Sequence, residues 1–287
     1  MPSDVTVFGL GGMGGALAAA LLKKGYRTTI WNRTAAKAAP LVEKGAELVT
    51  SLKAGFEASN FLVFCVLENN IVHEMLNENL SSLSGKIILN TTNGTSQQAR
   101  DLSSFVSGHG GQYIHGAIMA VPAQIGTEDA FLLYSGPPEL FASIQERVTA
   151  LGGAKYVGLD PGLASLHDSA LLSGLLGLFS GFIHSSALIS SQPGETATGF
   201  MDSYIKFTTS MSDYLRALAE QIDTGHFTAL GSTLGIYGSA LKNICEVTES
   251  QGVSSELLKP LEALVEKAVE AGYGNSEISA LTKLLRR

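Results

Sequence analysis

The chain has 287 residues, of which 45% are hydrophobic and 16% are charged, and its formal net charge is −7. This composition is typical of a globular protein with a sizeable core, and the length suits two domains. The acidic balance argues against a nucleic acid partner, because proteins that bind phosphate backbones usually carry a basic face.

The chain begins with a predicted strand at residues 5–8 that runs directly into a glycine-rich loop, Gly9 to Gly14, and then into good helix formers. In the order strand, loop and helix, this spacing is the fingerprint of a dinucleotide-binding turn. Gly9 permits the tight turn, Gly11 lets the backbone approach a pyrophosphate, and Gly14 lets helix and strand pack closely. We therefore expect cofactor contacts from Gly9, Leu10, Gly11, Gly12, Met13 and Gly14.

The second predicted strand, residues 27–31, indicates which dinucleotide is bound. An NAD-binding protein places Asp or Glu on the ribose hydroxyls at the end of this strand. This chain has Asn32, Arg33 and Thr34 there, followed by Lys37. Because a guanidinium binds a 2′-phosphate that a carboxylate would repel, the pattern predicts NADPH. The weaker alternative is that Arg33 and Lys37 are ordinary surface charges.

Further strands are predicted at residues 61–66, 86–90, 112–118, 131–135 and 154–157, with helices between them. This alternation predicts a parallel, doubly wound Rossmann sheet. Ligands of such sheets bind at the carboxyl ends of the strands. Residues at those ends are expected around the cofactor and its nicotinamide, namely Cys65, Val66, Leu67, Asn93, Thr95 (also a candidate helix N-cap) and Met119.

Residues 162–191 form a long apolar segment whose single carboxylate is Asp168. Its apolar side chains surround the helix axis, which predicts a helix buried on all sides. The length also fits a membrane span. Interrupting serines and glycines, and the α/β pattern before it, favour a helix buried in protein. Asp168 in apolar surroundings should have a raised pKa, which suits proton transfer; the alternative is a carboxylate that only complements the helix dipole.

After this segment, helices are predicted near residues 196–223, 228–251, 255–272 and 276–285. The chain thus divides into a Rossmann domain at 1–160, an interdomain helix at 161–191 and an all-α substrate and dimerisation domain at 192–287. The helices carry more apolar surface than one small bundle can bury, which predicts an interlocked homodimer.

The cysteines and histidines do not have the spacing of a metal site. Cys65 and Cys245 are the only cysteines and lie far apart. They predict free thiols in a reducing, cytoplasmic compartment and no disulfide. The six histidines have no neighbouring ligand cluster, so no metal is expected.

Several motifs together resemble the NADPH-dependent imine reductases, and most closely the fungal reductive aminases. These motifs are residues 9–14, 32–34, 92–95, 116–122 and 165–168. The resemblance covers essentially the whole chain. The parent superfamily, the β-hydroxyacid dehydrogenases, has a catalytic lysine where this chain has Asp168. A carboxylate suits a cationic iminium better than an alcohol.

The resemblance implies a mechanism. A ketone or aldehyde meets an amine beside NADPH, or a preformed cyclic imine binds there. Asp168 binds the amine nitrogen and exchanges its proton, Asn93 orients the carbonyl or the nitrogen, and the cofactor reduces the iminium carbon. Small hydrophobic substrates are expected in a pocket formed by Met119, Leu172, Leu176, Phe179, Phe207, Met211, Ile236 and Tyr237.

The sequence departs from the fungal pattern in this pocket. The tyrosine two turns beyond the aspartate is replaced by Leu176, and the pocket tryptophan by Phe207. Ile236 and Tyr237 stand in place of a Met-Gln pair, so Tyr237 is a candidate for the missing phenol. Two alternatives stay open: an enzyme like the carbonyl reductases and β-hydroxyacid dehydrogenases, and an NADPH-binding protein without catalysis.

Overall fold

The computed structural model describes residues 2–286. The chain forms two compact units, Met1–Ser173 and Gly174–Arg287, which are described in turn. The helix α7, Leu163–Ile189, is one continuous element that contributes to both.

The first unit is built on an eight-stranded sheet in the order β3-β2-β1-β4-β5-β6-β7-β8. Strands β1 to β6 are parallel, and β7 pairs with β6 in the antiparallel sense. The strand order reverses between β1 and β4, which is where doubly wound sheets bind ligands. The strands are β1 Val5–Phe8, β2 Thr28–Trp31, β3 Glu47–Leu48, β4 Phe61–Phe64, β5 Ile87–Asn90, β6 Gln112–Met119, β7 Phe131–Ser135 and β8 Gly153–Gly158.

Both faces of this sheet are buried. Successive residues of its central strands belong to different hydrophobic clusters, one on each face. In β4, Phe61 and Val63 belong to one cluster, whereas Leu62 and Phe64 belong to the other. This alternation follows from the two-residue period of a strand. The covering helices are α1 Gly12–Lys23, α2 Ala39–Val42, α3 Leu52–Ala58, α4 Asn69–Asn77, α5 Ser96–Gly108 and α6 Pro138–Thr149.

The predicted Rossmann sheet is confirmed, with two differences. The last two strands run opposite to the first six, since β8 is parallel to β7. The two-residue strand β3 was not predicted, because it is too short to show a period. Strand β4 ends at Phe64, so Cys65 and Val66 lie in the loop that follows it.

The second unit is helical, with α8 at Ala197–Ser210, α9 at Ser212–Thr224, α10 at Leu234–Ser250, α11 at Lys259–Ala268 and α12 at Thr282–Leu285. The single helix predicted at 196–223 is wrong, because the chain breaks at Met211, whose N–H bonds back to Thr208 in a tightened turn. The helix predicted from 228 begins only at Leu234. The Thr233 side chain caps it by accepting from the Ile236 N–H.

Helix α7 does not have the burial expected from its sequence. Within one chain only 6% of its most apolar stretch is buried. The buried apolar cluster of the second unit, which includes Leu234 and Val265, contains no residue of α7. Among the described residues, α7 is the one helix long and apolar enough to cross a membrane by length and composition alone.

Candidate active site

The glycine-rich loop lies between β1 and α1, and its packing requires glycine at two positions. Gly9 has a positive φ of 95°, and a Cβ there would lie 2.2 Å from the Cys65 carbonyl oxygen. A Cβ on Gly14 would lie 2.0 Å from the Gly9 carbonyl oxygen. Gly11 is different: it is the N-cap of α1 and has open space around its Cβ position. The helix N-terminus therefore presents unobstructed backbone N–H groups, which suit an anion.

A cavity of about 580 Å³ lies against this loop and brings together most of the predicted cofactor residues. The loop after β2 and the loop after β4 form two of its sides. The predicted residues in its lining are Gly9, Gly11, Gly12, Met13, Gly14, Asn32, Arg33, Thr34, Lys37, Cys65, Val66 and Leu67. Leu10, Asn93 and Thr95 are outside this lining.

The charged residues after β2 lie on the lining of this cavity. Asn32 is occupied structurally: its amide oxygen accepts from the Leu10 N–H at 2.9 Å, and its amide nitrogen donates to the Thr34 carbonyl. Arg33 and Lys37 are exposed and line the cavity. Neither forms an ion pair within residues 2–286. These two cations are therefore available to a 2′-phosphate.

The sequence analysis did not predict the residues around α4 that also line the cavity. Helix α4 contributes Ile71, Glu74 and Met75, and its C-cap residue Glu78 follows Glu74 by one turn, as Met75 follows Ile71. The i, i+4 spacing was visible in the sequence, but only the fold shows that this face of α4 lies on the nucleotide side. Trp31 and Leu52 add further apolar surface.

The loop after β5 carries Asn93 and is held by a chain of buried amides. Asn90 donates to the Asn69 amide oxygen at 2.8 Å, and Asn69 donates to the Asn93 carbonyl at 3.2 Å. The Asn93 side chain itself is exposed. Thr95 caps α5 and forms a reciprocal capping box with Gln98, as its predicted N-cap role requires. Asn69 is a residue that the sequence did not single out.

Asp168 lies in α7, beyond a first turn that contains no acidic residue. The start of this helix is fixed by Ser165, which hydrogen-bonds to the buried His115 ring at 2.8 Å. Asp168 is only 8% exposed. Within residues 2–286 no side chain forms an ion pair with its carboxylate. Burial raises the pKa of this carboxyl, as expected. A role limited to the helix dipole fits poorly, because that effect fades beyond the first turn.

In the second unit, Tyr237 belongs to a polar cluster that the sequence did not reveal. Its hydroxyl lies 3.0 Å from the hydroxyl of Tyr214, which in turn donates to Glu277 at 2.7 Å. Glu277 is fully buried, although Glu is a residue type that seldom is. Burial and the neighbouring Glu277 raise the pKa of Tyr214. No local pattern links these three residues, because they come from α9, α10 and the segment before α12.

The remaining predicted pocket residues are divided between the two units, and none of them lines the cofactor cavity. Met119 and Leu172 belong to the first unit, and the others to the second. Leu176, Phe207 and Ile236 are 64%, 66% and 56% exposed within one chain. The pocket itself stays a prediction, as does the placement of Phe179 and Met211 in it.

Comparison with known proteins gives two family matches, one for each part of the chain. Residues 4–158 match the NAD binding domain of 6-phosphogluconate dehydrogenase. Residues 160–287 match the C-terminal domain of NADPH-dependent reductive aminase-like proteins.

Individual proteins are similar over the full length. An NADPH-dependent reductive aminase of Aspergillus oryzae is 47% identical over 289 residues, covering 100% of this chain and 98% of that protein. The structure of a reductive aminase from Aspergillus terreus, in complex with NADPH and ethyl levulinate, is 48% identical with a TM-score of 0.95 and full coverage of both chains. An imine reductase from Myxococcus stipitatus in complex with NADP+ is 31% identical, with a TM-score of 0.91 and coverage of 99% and 100%.

Proposed function

The chain belongs to the family of NADPH-dependent reductive aminases, and we propose that Asp168 carries the proton chemistry of its reaction. The enzyme is an NADPH-dependent oxidoreductase that acts on C=N bonds, reducing imines and joining carbonyl compounds to amines. The observation that carries the proposal is a buried carboxylate without an ion-pair partner among the described residues and with a raised pKa. Such a group holds a proton more readily than an exposed aspartate does, and it can stabilise a cation once it has lost that proton.

The residues of the first unit fit NADPH. The open backbone at Gly11 and the N-terminus of α1 would hold the pyrophosphate, and Arg33 with Lys37 would hold the 2′-phosphate. Cys65, Val66 and Leu67 would lie beside the nicotinamide. When bound, NADPH supplies the hydride.

The protein's own residues then handle the substrate. Asp168 binds the amine nitrogen, takes up its proton during condensation and returns one to the imine, so that a cationic iminium is reduced. Asn93 orients the carbonyl oxygen or the nitrogen through its exposed amide. Tyr237, in the second unit, is the candidate for the phenol that is missing at Leu176. An apolar environment excludes water and favours small hydrophobic ketones and amines.

Parallel assays of NADPH oxidation test this function. One contains a preformed cyclic imine, and a second contains cyclohexanone with a primary amine. Controls contain the ketone alone or the amine alone. We expect oxidation with the imine, and with the two partners together. Oxidation with the ketone alone at the same rate would identify a carbonyl reductase. NADPH binding without any turnover would identify a non-catalytic protein.

We further propose that a second copy of the chain covers the exposed side of α7. Leu171, Leu175 and Leu178 form one stripe along the helix and are 47%, 42% and 48% exposed. They are offset from the predicted substrate stripe of Leu172, Leu176 and Phe179. An apolar stripe of this length on a helix with interrupting serines and glycines fits another protein surface.

Light scattering at micromolar concentration tests the dimer. We expect twice the chain mass of 30.1 kDa for the wild-type protein, and dissociation for Leu178→Glu. A monodisperse wild-type monomer would contradict the proposal, and a requirement for detergent would favour a membrane instead. A cytoplasmic location is proposed on the two free cysteines, Cys65 and Cys245; recovery of the enzyme from a secreted fraction would contradict it.

A further inference from the structure

A continuous line of buried hydrogen bonds in the first unit begins at the loop after β5. The Asn69 amide donates to the Asn93 carbonyl, and the Asn90 amide donates to Asn69. The same Asn90 nitrogen also donates to the Tyr113 hydroxyl at 3.1 Å. That hydroxyl lies 3.1 Å from Nδ1 of His115, in β6. The four side chains that form this line belong to residues that are 4% exposed or less.

The line ends on α7, at a residue one turn before Asp168. Nε2 of His115 lies 2.8 Å from the Ser165 hydroxyl, and Ser165 is buried. Ser165 and Asp168 have i, i+3 spacing in α7, so they are neighbours on the surface of one helix. His115 therefore connects the loop that carries Asn93 to the helical turn that carries Asp168.

The buried surroundings fix which ring nitrogen of His115 carries the hydrogen. Burial lowers the pKa of His115 to about 4, so the ring is neutral near pH 7. Burial also raises the pKa of Tyr113, so the phenol keeps its hydrogen. Within residues 2–286 the one acceptor for that hydrogen is Nδ1 of His115. Nε2 must then carry the ring hydrogen and donate it to Ser165.

We propose that His115 is a positioning residue for the reaction, which holds the Asp168 turn of α7 in place relative to the Asn93 loop. The inference rests on the proposed function, in which Asp168 exchanges the proton and Asn93 orients the substrate. Groups that act together in a reaction must be held to within about 0.5 Å, and a displacement of about 1 Å can cost about 100-fold in rate. Because the His115 ring is neutral, it supplies this constraint without placing a charge in the buried line.

The first experiment measures the reduction of a preformed cyclic imine by Ser165→Ala at saturating NADPH. This variant removes the partner of His115 on α7 and leaves the ring in place. Because α7 is then free to shift against the loop, we expect kcat per folded enzyme to fall about 10- to 100-fold. The NADPH dissociation constant should stay near the wild-type value, since Ser165 does not line the cofactor cavity.

Ser59→Ala is the matched control, because it also removes a buried serine hydroxyl in the first unit. That hydroxyl donates to the Phe61 carbonyl at 2.7 Å and accepts from the Phe61 N–H. It lies at the amino end of β4, at the opposite edge of the sheet from the ligand-binding ends of the strands. Ser59→Ala should lower the thermal midpoint and keep the wild-type kcat.

Two variants at position 115 separate the hydrogen bonds from the volume of the ring. His115→Leu removes both bonds, and we expect it to lower kcat at least as much as Ser165→Ala. His115→Gln keeps an acceptor and a donor on one planar, uncharged group, so it should recover most of the lost rate. Since the two residues act through one contact, Ser165→Ala should slow His115→Leu by no more than about twofold. A merely structural role would lower the thermal midpoints without this pattern in kcat.

Three results would overturn the inference: a near wild-type kcat in Ser165→Ala, equal losses of kcat in Ser165→Ala and Ser59→Ala, or a His115→Gln variant that is no faster than His115→Leu. If His115→Leu does not fold, the comparison of Ser165→Ala with Ser59→Ala still decides. Failure of the wild-type enzyme to reduce the imine is a separate result, because it would contradict the proposed function itself.

Discussion

Each of the two units buries one carboxylate among the described residues, and the two have opposite surroundings. Asp168 in the first unit has no ion-pair partner there, and burial raises its pKa. Glu277 in the second unit accepts hydrogen bonds from Leu230, Ile278 and Tyr214, and its pKa is lowered. Asp168 is thus suited to exchange a proton, whereas Glu277 is held as an anion.

The same contrast extends to how each unit assembles its own candidate functional residues. The cofactor side of the first unit depends on backbone geometry within one loop, whereas the second unit depends on side chains that meet only after folding. Substitutions should therefore act differently in the two units.

The largest effect is expected in the glycine loop. Gly14→Ala should destabilise the protein by on the order of 4 kcal/mol, at the upper end for single substitutions, because the new Cβ would lie 2.0 Å from the Gly9 carbonyl oxygen. Gly15→Ala is the matched control, with open space around its Cβ. Gly11→Ala has the same open space, so it should keep its thermal midpoint and lose NADPH affinity. Equal midpoints for Gly14→Ala and Gly15→Ala would contradict this account of the loop.

The next effect concerns cofactor choice in the first unit. Arg33→Ala should weaken NADPH binding by about 10- to 100-fold, the value of one charge-assisted hydrogen bond. NADH lacks the 2′-phosphate, so its dissociation constant should hardly change. Titration of both cofactors by fluorescence measures this, and a parallel loss for NADH would mean that Arg33 does not read the phosphate.

A smaller effect is expected from Glu277→Gln in the second unit. Both carboxylate oxygens accept backbone N–H groups, so an amide must turn its NH₂ toward one of them. Leaving that donor unpaired should cost about 1–3 kcal/mol. Because the pKa of Glu277 is lowered, its stabilisation is complete above 4.5 and is lost as the pH falls through the folded-state pKa.

Denaturant unfolding of Glu277→Gln should therefore differ most from wild type at neutral pH and least in acid. Glu270→Gln, an exposed glutamate of the same unit, is the control. A difference that does not depend on pH would show that the charge of Glu277 is not responsible.

The smallest effect on stability is expected for Asp168→Asn. It should be a gain or no change, whereas Glu277→Gln should lose stability. The raised pKa means that the ionised form disfavours folding, and this cost develops as the pH rises from 3.8 through the folded-state pKa. Removing the charge should leave the protein at least as stable at neutral pH. The exposed Asp202→Asn serves as control. A clear loss of stability in Asp168→Asn would indicate a structural partner for the carboxylate.

The sequence predicted most of what is local. The strand, loop and helix at residues 5–23 have a fixed spacing, and the glycines of the loop that line the cavity follow from it. Asp168 stood out because a carboxylate is rare in so apolar a segment. These features depend on neighbours in the chain, so they can be recognised without a structure.

What the sequence could not predict depends on distant contacts. Tyr214 and Glu277 are 63 residues apart, and nothing in either segment announces their hydrogen bond. Asn69 gains its role only because the start of α4 lies beside the end of β5 and the loop after it. The exposure of α7 also escaped prediction, since an apolar helix has the same pattern whether its own chain or a second molecule covers it.

The most direct test of the central claim is the rate of reduction of a preformed cyclic imine by Asp168→Asn, at saturating NADPH and beside the wild-type enzyme. If Asp168 supplies the proton that makes the iminium, kcat should fall by about 100-fold or more, with the NADPH dissociation constant and the thermal midpoint retained. A variant that folds, binds NADPH and reduces the imine at a near wild-type rate would contradict the assignment of Asp168.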